Sequence, residues 1–141
     1  MFDRFATFGL DLAVTEFDIH TEDEDLQARY LHDFLHVAFS HPAVTQILMW
    51  GFWEGEIYKQ ERALYLADWS PKPSGTMFEA LVLNECRTRA QGLSSDLGEN
   101  RTSGFQGTYR IEVSHGETER TVETSLGREG RTVKVELNPS S

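Results

Sequence analysis

Cysteine and long hydrophobic runs are almost absent from this chain of 141 residues. The single cysteine, Cys86, excludes an intrachain disulfide and any metal site built from several thiolates. No stretch approaches the roughly 20 apolar residues that a membrane-spanning helix needs. The first ten residues, MFDRFATFGL, have neither the basic start nor the unbroken apolar core of a secretory signal. We therefore expect no membrane partner, and either a cytosolic protein or a chain whose true N-terminus is not included.

Basic residues are also scarce, with 13 Lys and Arg against 23 Asp and Glu and a formal net charge of −10. Binding to nucleic acid needs a basic surface, and so does binding to an anionic membrane. Both classes of partner are therefore disfavoured. Aromatic residues make up 11% of the chain, enough for a folded core. A neutral, hydroxyl-rich ligand such as a sugar fits this composition better than an anion does.

The order of apolar runs and helical periodicities predicts an α/β fold in the first ninety residues. Two predominantly apolar strands flanking a helix, the first nearly continuous, indicate a βαβ unit, whose parallel strands are covered on both faces. The predicted elements are a helix over 2–8 that stops at Gly9, a strand over 10–19, a helix over 22–40, a strand over 45–52 and a helix over 74–89.

The helix over 22–40 has its own signals in the sequence. Thr21 and Glu24 have the spacing of a capping box, which marks a helix start. Apolar residues recur every four positions along it, which predicts its core-facing stripe. The stripe is Leu26, Tyr30, Phe34 and Ala38, flanked by Leu31 and Leu35.

The composition changes after residue 91. Residues 92–104 are rich in Gly, Ser and Asn and predict a linker. Alternating apolar residues then predict a small antiparallel sheet over 105–141, formed by a three-stranded meander whose last strand contains Val133, Val135 and Leu137. The predicted domains are therefore 1–91, a linker over 92–104 and a β extension over 105–141.

Polar and aromatic side chains collect where the two predicted strands end. Glu16 and Asp18 end the first strand, in LAVTEFDIH, and Trp50, Trp53 and Glu54 follow the second. Side chains two apart on a strand share a face, and active sites of β/α folds collect at the C-terminal strand ends. Spacing alone leaves two alternatives open: Glu16 as a locally hydrogen-bonded strand-end carboxylate, and the tryptophans as core packing.

Three segments resemble the family-10 glycoside hydrolases, the endo-β-1,4-xylanases, in the same order and spacing over residues 2–85. They are FATFGLDLAVTEFDIH, ILMWGFWEG and LADWSPKPSGTMFEAL. The resemblance implies the C-terminal fragment of a (β/α)₈ TIM barrel, with strands seven and eight and their helices, followed by a small antiparallel β-sheet. The tail is similar to the β extension that follows the barrel in some members.

The resemblance also implies roles for individual residues. Glu16 matches the catalytic nucleophile, and Asp18 matches the acid that orients the nucleophile through a histidine on the preceding strand. Trp50 matches the aromatic floor of the −1 sugar subsite. Trp53, Glu54 and Tyr58 are expected to bind substrate beside it, although the family usually has aspartate where Glu54 stands and tryptophan where Tyr58 stands.

The acid/base glutamate of the family belongs to the fourth barrel strand, which this chain lacks. A whole barrel takes about 250 residues, so the resemblance implies a fragment that carries the nucleophile without its acid. The expected function is that of a retaining endo-1,4-β-xylanase acting on xylan or xylo-oligosaccharides, extracellular in the full-length family member. The isolated chain is expected to be inactive.

Two other interpretations stay open. The chain could be a non-catalytic barrel remnant that binds carbohydrate or protein, or a stand-alone β/α domain of unrelated function. No cofactor is expected. His32 and His36 have i, i+4 spacing, but without a surrounding Glu-x-x-His context we interpret them as part of a solvated helix face and predict no metal site.

Overall fold

A computed structural model of the chain describes residues 1–137, which form two compact units. The first unit is Met1–Cys86, and the second begins at Arg87. The predicted β extension ran to residue 141, and its last four residues lie outside the described ones. Within residues 1–137, no helix is both long enough and apolar enough to cross a bilayer.

The first unit is built on a parallel βαβ motif, as the sequence predicted. After a short helix α1 (Phe2–Ala6), strand β1 (Leu12–Phe17) leads through helix α2 (Glu24–Ser40) to strand β2 (Val44–Met49). β1 and β2 pair in parallel, which confirms the predicted pairing. Both strands are shorter than the apolar runs that predicted them, because an apolar run reports burial and the ladder of backbone hydrogen bonds is shorter.

Helix α2 begins two residues later than a Thr21 cap would require. The Asp23 side chain accepts a hydrogen bond from Leu26 N at 2.9 Å and caps the helix. Thr21 Oγ1 instead accepts from Asp23 N at 3.1 Å, so it supports the capping residue. The predicted capping box of Thr21 and Glu24 is therefore wrong. Aspartate caps a helix as well as threonine does, and it lies next to the first helical residue.

The buried face of α2 keeps Ala38 of the predicted stripe and its two flanking leucines, but it begins at Gln27 instead of Leu26. Leu26 and Tyr30 are 45% and 56% exposed. The residues that α2 buries are Gln27, Leu31, Leu35 and Ala38. A polar residue therefore lies at the start of the buried face, and hydrophobic periodicity cannot predict it.

Helix α3 (Pro73–Ala80) closes the core of the first unit and continues as a π-helical turn over Leu81–Glu85. Leu81 is buried in a cluster with Leu31, Leu35 and Leu64. A Cβ on Gly75 would overlap the carbonyl oxygen of Leu64, so glycine permits the close approach of α3 to that segment. The regular helix is shorter than the predicted 74–89.

The β1–β2 sheet is covered on one face by α2. Phe17 stacks on Phe34 with ring centroids 4.0 Å apart, and Ile47 and Met49 pack against the leucine cluster. Alternate residues, such as Ala13 and Leu48, are exposed. The expectation of strands covered on both faces is therefore not met. The sheet has two strands, and each has one edge unpaired within residues 1–137.

The second unit contains an antiparallel hairpin of β3 (Gly107–His115) and β4 (Thr118–Leu126). Gly116, with φ of +60°, supplies the positive φ that a tight hairpin turn requires. The predicted third strand is not formed within the described part of the tail, although Val133, Val135 and Leu137 are half-buried and alternate with exposed neighbours. Alternation predicts which side chains are covered, whereas a strand also needs backbone pairing.

Candidate active site

A β-bulge interrupts β1 at Glu16. Val14 pairs with Ile47 and Phe17 with Met49, so two residues of β1 oppose one residue of β2. Glu16 has φ of +56°, in the left-handed region that residues with a side chain rarely adopt. Bulges and such strained residues recur beside active sites, where they redirect a side chain. The alternation that placed Glu16 and Asp18 on one face is broken here, and half-buried Phe17 follows Val14 on the covered side.

Asp18 lies just beyond β1, and its partner is an arginine. Arg62 Nη1 donates to Asp18 Oδ2 at 2.6 Å, and both side chains are about three-quarters buried. Arg62 ends the 3-10 turn Gln60–Arg62. Its Nε–H is buried and has no acceptor among residues 1–137. Arg62 was missed by the sequence analysis, because nothing in its neighbourhood distinguishes it from a surface arginine.

The same 3-10 turn supplies a second contact to the end of β1. His20 Nε2 lies 2.6 Å from Glu61 Oε1. The pKa of Glu61 is lowered mainly by a hydrogen bond from the backbone N–H of Glu61 itself. Desolvation opposes this effect, and nearby His20 and Lys59 lower the pKa further. The Asp18–Arg62 ion pair and the His20–Glu61 contact therefore hold the 3-10 turn beside the strand end.

Trp50 is placed next to the end of β1 by the backbone. Trp50 N donates to Phe17 O at 2.9 Å, so the first residue after β2 lies beside the last residue of β1. Trp50 is 53% exposed, as an aromatic residue that contacts a ligand would be. The structure thus brings the backbones of Glu16 and Trp50 to the same end of the sheet.

Trp53 belongs to an aromatic cluster with Trp69, which the sequence analysis did not single out. The two indoles stack with centroids 4.9 Å apart and planes 10° apart. Trp53 Nε1 donates to Ala67 O at 3.2 Å. The ring centroids of Phe52 and Tyr65 lie 6.2 and 6.4 Å from that of Trp69. Trp69 has φ of +69° and is 56% exposed. Its signal was available, since it is the third tryptophan of an aromatic-rich loop.

Glu54 forms an ion pair with a buried lysine. Lys72 Nζ lies 2.9 Å from Glu54 Oε1 and donates to Gln60 O at 3.0 Å. Glu54 also accepts from Ala67 N at 3.3 Å. Tyr58 is separate from this group in its burial, since it is 95% exposed. Glu54 therefore fixes the loop that carries Trp69, whereas Tyr58 is held much less closely.

Comparison with known proteins identifies the group to which the chain is similar. The family model of glycosyl hydrolase family 10 matches residues 1–80. The anti-sigma-I factor RsgI6 of Acetivibrio thermocellus is 40% identical over 113 residues, which are 79% of this chain and 15% of that protein. Endo-1,4-beta-xylanase 2 of Arabidopsis thaliana is 31% identical over 116 residues, which are 82% of this chain and 11% of that protein.

A solved structure is also similar: xylanase 10B from Thermotoga petrophila RKU-1 in complex with xylobiose, with 24% identity and a TM-score of 0.49. The match covers 60% of this chain and 30% of that one. The chain spans 11–15% of the length of the curated relatives named above. Because the family model covers more than half of its residues, the chain belongs to glycosyl hydrolase family 10.

Proposed function

We propose that this chain carries the nucleophile of a retaining endo-1,4-β-xylanase, and that the nucleophile is Glu16. The observation that carries the proposal is the left-handed backbone of Glu16 at a bulge, at the end of a strand within the family match. In this proposal β1 and β2 are the seventh and eighth strands of a (β/α)₈ barrel. The substrate is xylan or a xylo-oligosaccharide, and we propose that the full-length protein meets it outside the cell.

The reaction would proceed in two displacements. A carboxylate oxygen of Glu16 attacks the anomeric carbon, and the bond from that carbon to the leaving-group oxygen breaks as a glycosyl-enzyme ester forms. Water then cleaves the ester with net retention of configuration. Both steps need a second carboxyl group about 5 Å away, as acid and then as base. The family resemblance assigns that group to a strand outside these 141 residues.

The residues around Glu16 have supporting roles in this proposal. The Asp18–Arg62 pair holds the segment after β1 in place. The Nε–H of Arg62 has no acceptor among residues 1–137, so it can donate to a further barrel element or to a water. Trp50 provides an exposed indole on which the apolar face of a pyranose stacks. The Trp53–Trp69 stack and Glu54 shape the loop beside it.

The test uses a substrate that does not need the acid. A dinitrophenyl 2-deoxy-2-fluoro-xylobioside has a leaving group that departs unprotonated, and its fluorine slows the second displacement so that the ester accumulates. We expect mass spectrometry of the 141-residue chain to find the adduct on the peptide that contains Glu16. Glu16→Gln should abolish it, and Glu22→Gln, an exposed acid beyond the strand, should not. An adduct on another carboxylate would overturn the assignment.

A second candidate function is carbohydrate recognition without turnover. The observation that favours it is the 40% identity to a relative whose name, anti-sigma-I factor, does not designate a hydrolase. The half-exposed indoles of Trp50 and Trp69 suit a binding surface as well as an active site. Calorimetry with xylohexaose distinguishes the two: binding that Trp50→Ala removes, without labelling of Glu16, favours recognition.

A further inference from the structure

A cluster of two histidines and a glutamate lies on helix α2 and at the end of the π-helical turn. His32 and His36 are four residues apart on α2, and Glu85 is the last residue of Leu81–Glu85. One ring nitrogen of each histidine and a carboxylate oxygen of Glu85 all lie within 4.8 Å of one another. His36 Nε2 is 3.8 Å from Glu85 Oε2, and the two imidazole centroids are 4.3 Å apart.

The core of the first unit fixes the positions from which these side chains extend. His32 and His36 each directly follow a buried leucine of α2, Leu31 and Leu35. Glu85 comes four residues after Leu81, which packs in the same leucine cluster. The three polar side chains therefore lie at the rim of one helix–helix contact. Their backbones are held by packing, while their side chains are about half-exposed and free to adjust.

Both imidazoles make their hydrogen bonds through Nδ1, and Nε2 of His36 faces Glu85. His36 Nδ1 lies 3.2 Å from the carbonyl oxygen of His32, and His32 Nδ1 lies 3.1 Å from Asp33 Oδ1. Both acceptors favour the tautomer with its proton on Nδ1 and a lone pair on Nε2. Histidines that bind metals almost always donate their other N–H to a carboxylate or a backbone carbonyl in this way. These Nδ1 contacts are an observation separate from the short distances between the three residues.

We propose that His32, His36 and Glu85 bind a divalent transition metal, with Zn²⁺ as the best fit. Two imidazoles and a carboxylate form a ligand set that Zn²⁺ uses, with a fourth position left for water. Ca²⁺ and Mg²⁺ prefer sites made of oxygen. Zinc bonds of about 2.0–2.1 Å place ligand atoms about 3.3 Å apart. The cluster reaches that spacing by small rotations of exposed side chains, and the net charge of −10 favours any cation.

Metal binding would join the end of the π-helical turn Leu81–Glu85 to the middle of α2. A ligand that binds the folded state and not the unfolded one stabilises the fold in proportion to its concentration and affinity. The site would therefore act as a structural clip on the first unit. The sequence around His32 and His36 indicated only a solvated helix face, because their third ligand lies about fifty residues further along the chain.

The test is calorimetry and thermal melting of the 141-residue chain, purified without a polyhistidine tag and stripped with a chelator. We expect one Zn²⁺ per chain, a raised melting temperature, and a change in the visible absorption of Co²⁺ that reports nitrogen ligands. Mg²⁺ and Ca²⁺ should produce neither effect. Glu85→Gln should weaken Zn²⁺ binding at least about tenfold, and His36→Gln should weaken it more.

His115→Gln, which changes a histidine of the second unit, is the matched control and should bind Zn²⁺ like the unchanged chain. Should His36→Gln fail to fold, Glu85→Gln carries the same test, because its side chain is exposed at a helix end. Zn²⁺ affinity that is the same in Glu85→Gln, His36→Gln and the unchanged chain would overturn the proposal. So would a stabilisation that Mg²⁺ reproduces.

Discussion

Two residues with side chains, Glu16 and Trp69, have positive φ within residues 1–137, and both belong to the candidate active site. Holding such a residue in the left-handed region costs on the order of 1–3 kcal/mol. The surrounding fold must compensate for that cost: at Glu16 through the pairing of β1 with β2, and at Trp69 through its stack on Trp53. The geometry of the candidate site therefore requires strained backbone at these two positions.

The strain at Glu16 can be measured with two substitutions. Glu16→Gly removes the Cβ that opposes a positive φ, whereas Glu16→Ala keeps it. We expect the glycine variant to have a free energy of unfolding about 1 kcal/mol higher than the alanine variant. Urea unfolding followed by circular dichroism measures the difference. Equal stabilities would show that the left-handed backbone of Glu16 is not occupied in solution.

Tyr65 gives a prediction on pH. Burial, and then its hydrogen bond to Glu79 Oε1 at 2.9 Å, raise the pKa of the Tyr65 phenol above its ordinary value of 10.0. A raised pKa means that the fold favours the neutral phenol. The resulting stabilisation is complete below the unfolded-state pKa and is lost as the pH rises through the folded-state pKa.

Absorbance of the phenolate, recorded against pH for the chain and for Tyr65→Phe, isolates this residue from the other three tyrosines. We expect the difference to titrate above the pH at which free tyrosine does. Glu79→Gln should return the pKa of Tyr65 only part of the way to the ordinary value, because burial is the larger cause of the shift. A full return to the ordinary value with Glu79→Gln would contradict that order of causes.

Helix α2 shows how far sequence periodicity carries at the scale of an element. Its existence, its approximate bounds and its place between two parallel strands were predicted. The exact orientation of its buried face was not predicted, because that face begins with a buried polar residue, Gln27. Gln27 Nε2 donates to Ile19 O and Glu61 O, and its Oε1 accepts from Ser74 Oγ. Those partners come from distant segments, and a hydrophobic pattern cannot reveal them.

We therefore predict that Gln27→Leu destabilises the first unit although it makes α2 more apolar. Leucine would leave two partly buried carbonyl groups and one buried hydroxyl without their partner, at about 2–4 kcal/mol in the free energy of unfolding. Leu26→Gln, the neighbouring exposed position, is the matched control and should change stability little. Urea denaturation measures both. A neutral or stabilising Gln27→Leu would show that the three hydrogen bonds of the Gln27 side chain do not stabilise the first unit.

At the scale of the whole molecule, the sequence predicted which residues of the candidate site lie at the strand ends, but not which side chains they contact. The sequence motifs located Glu16, Asp18 and Trp50 at strand ends, and the backbone hydrogen bond from Trp50 to Phe17 joins those ends. The pairs Asp18–Arg62 and Glu54–Lys72 were not predicted, because each depends on how an irregular loop folds back. Regular elements follow from local patterns, whereas such loops are determined by tertiary contacts.

The activity of the chain is also a property of the whole molecule. General acid–base catalysis typically contributes about 10²–10⁴-fold to a rate, and the proposed nucleophile has no assigned acid among these residues. We expect no detectable release of reducing sugar from soluble xylan by the purified chain, even where the activated fluoro-glycoside labels it. Turnover of xylan that disappears with Glu16→Gln would show that a carboxyl group of this chain, or of a second copy, acts as the acid.

The two edges of the β1–β2 sheet that are unpaired among the described residues have a consequence for assembly. A strand that joins one edge covers that edge and presents its own outer edge in its place, so an open sheet always has two growing ends. Whether two copies meet through like or unlike edges, the product has as many acceptor edges as the monomer. Edge pairing between copies of this chain therefore has no preferred stopping size, and only a sheet that curls until its first and last strands meet reaches an end.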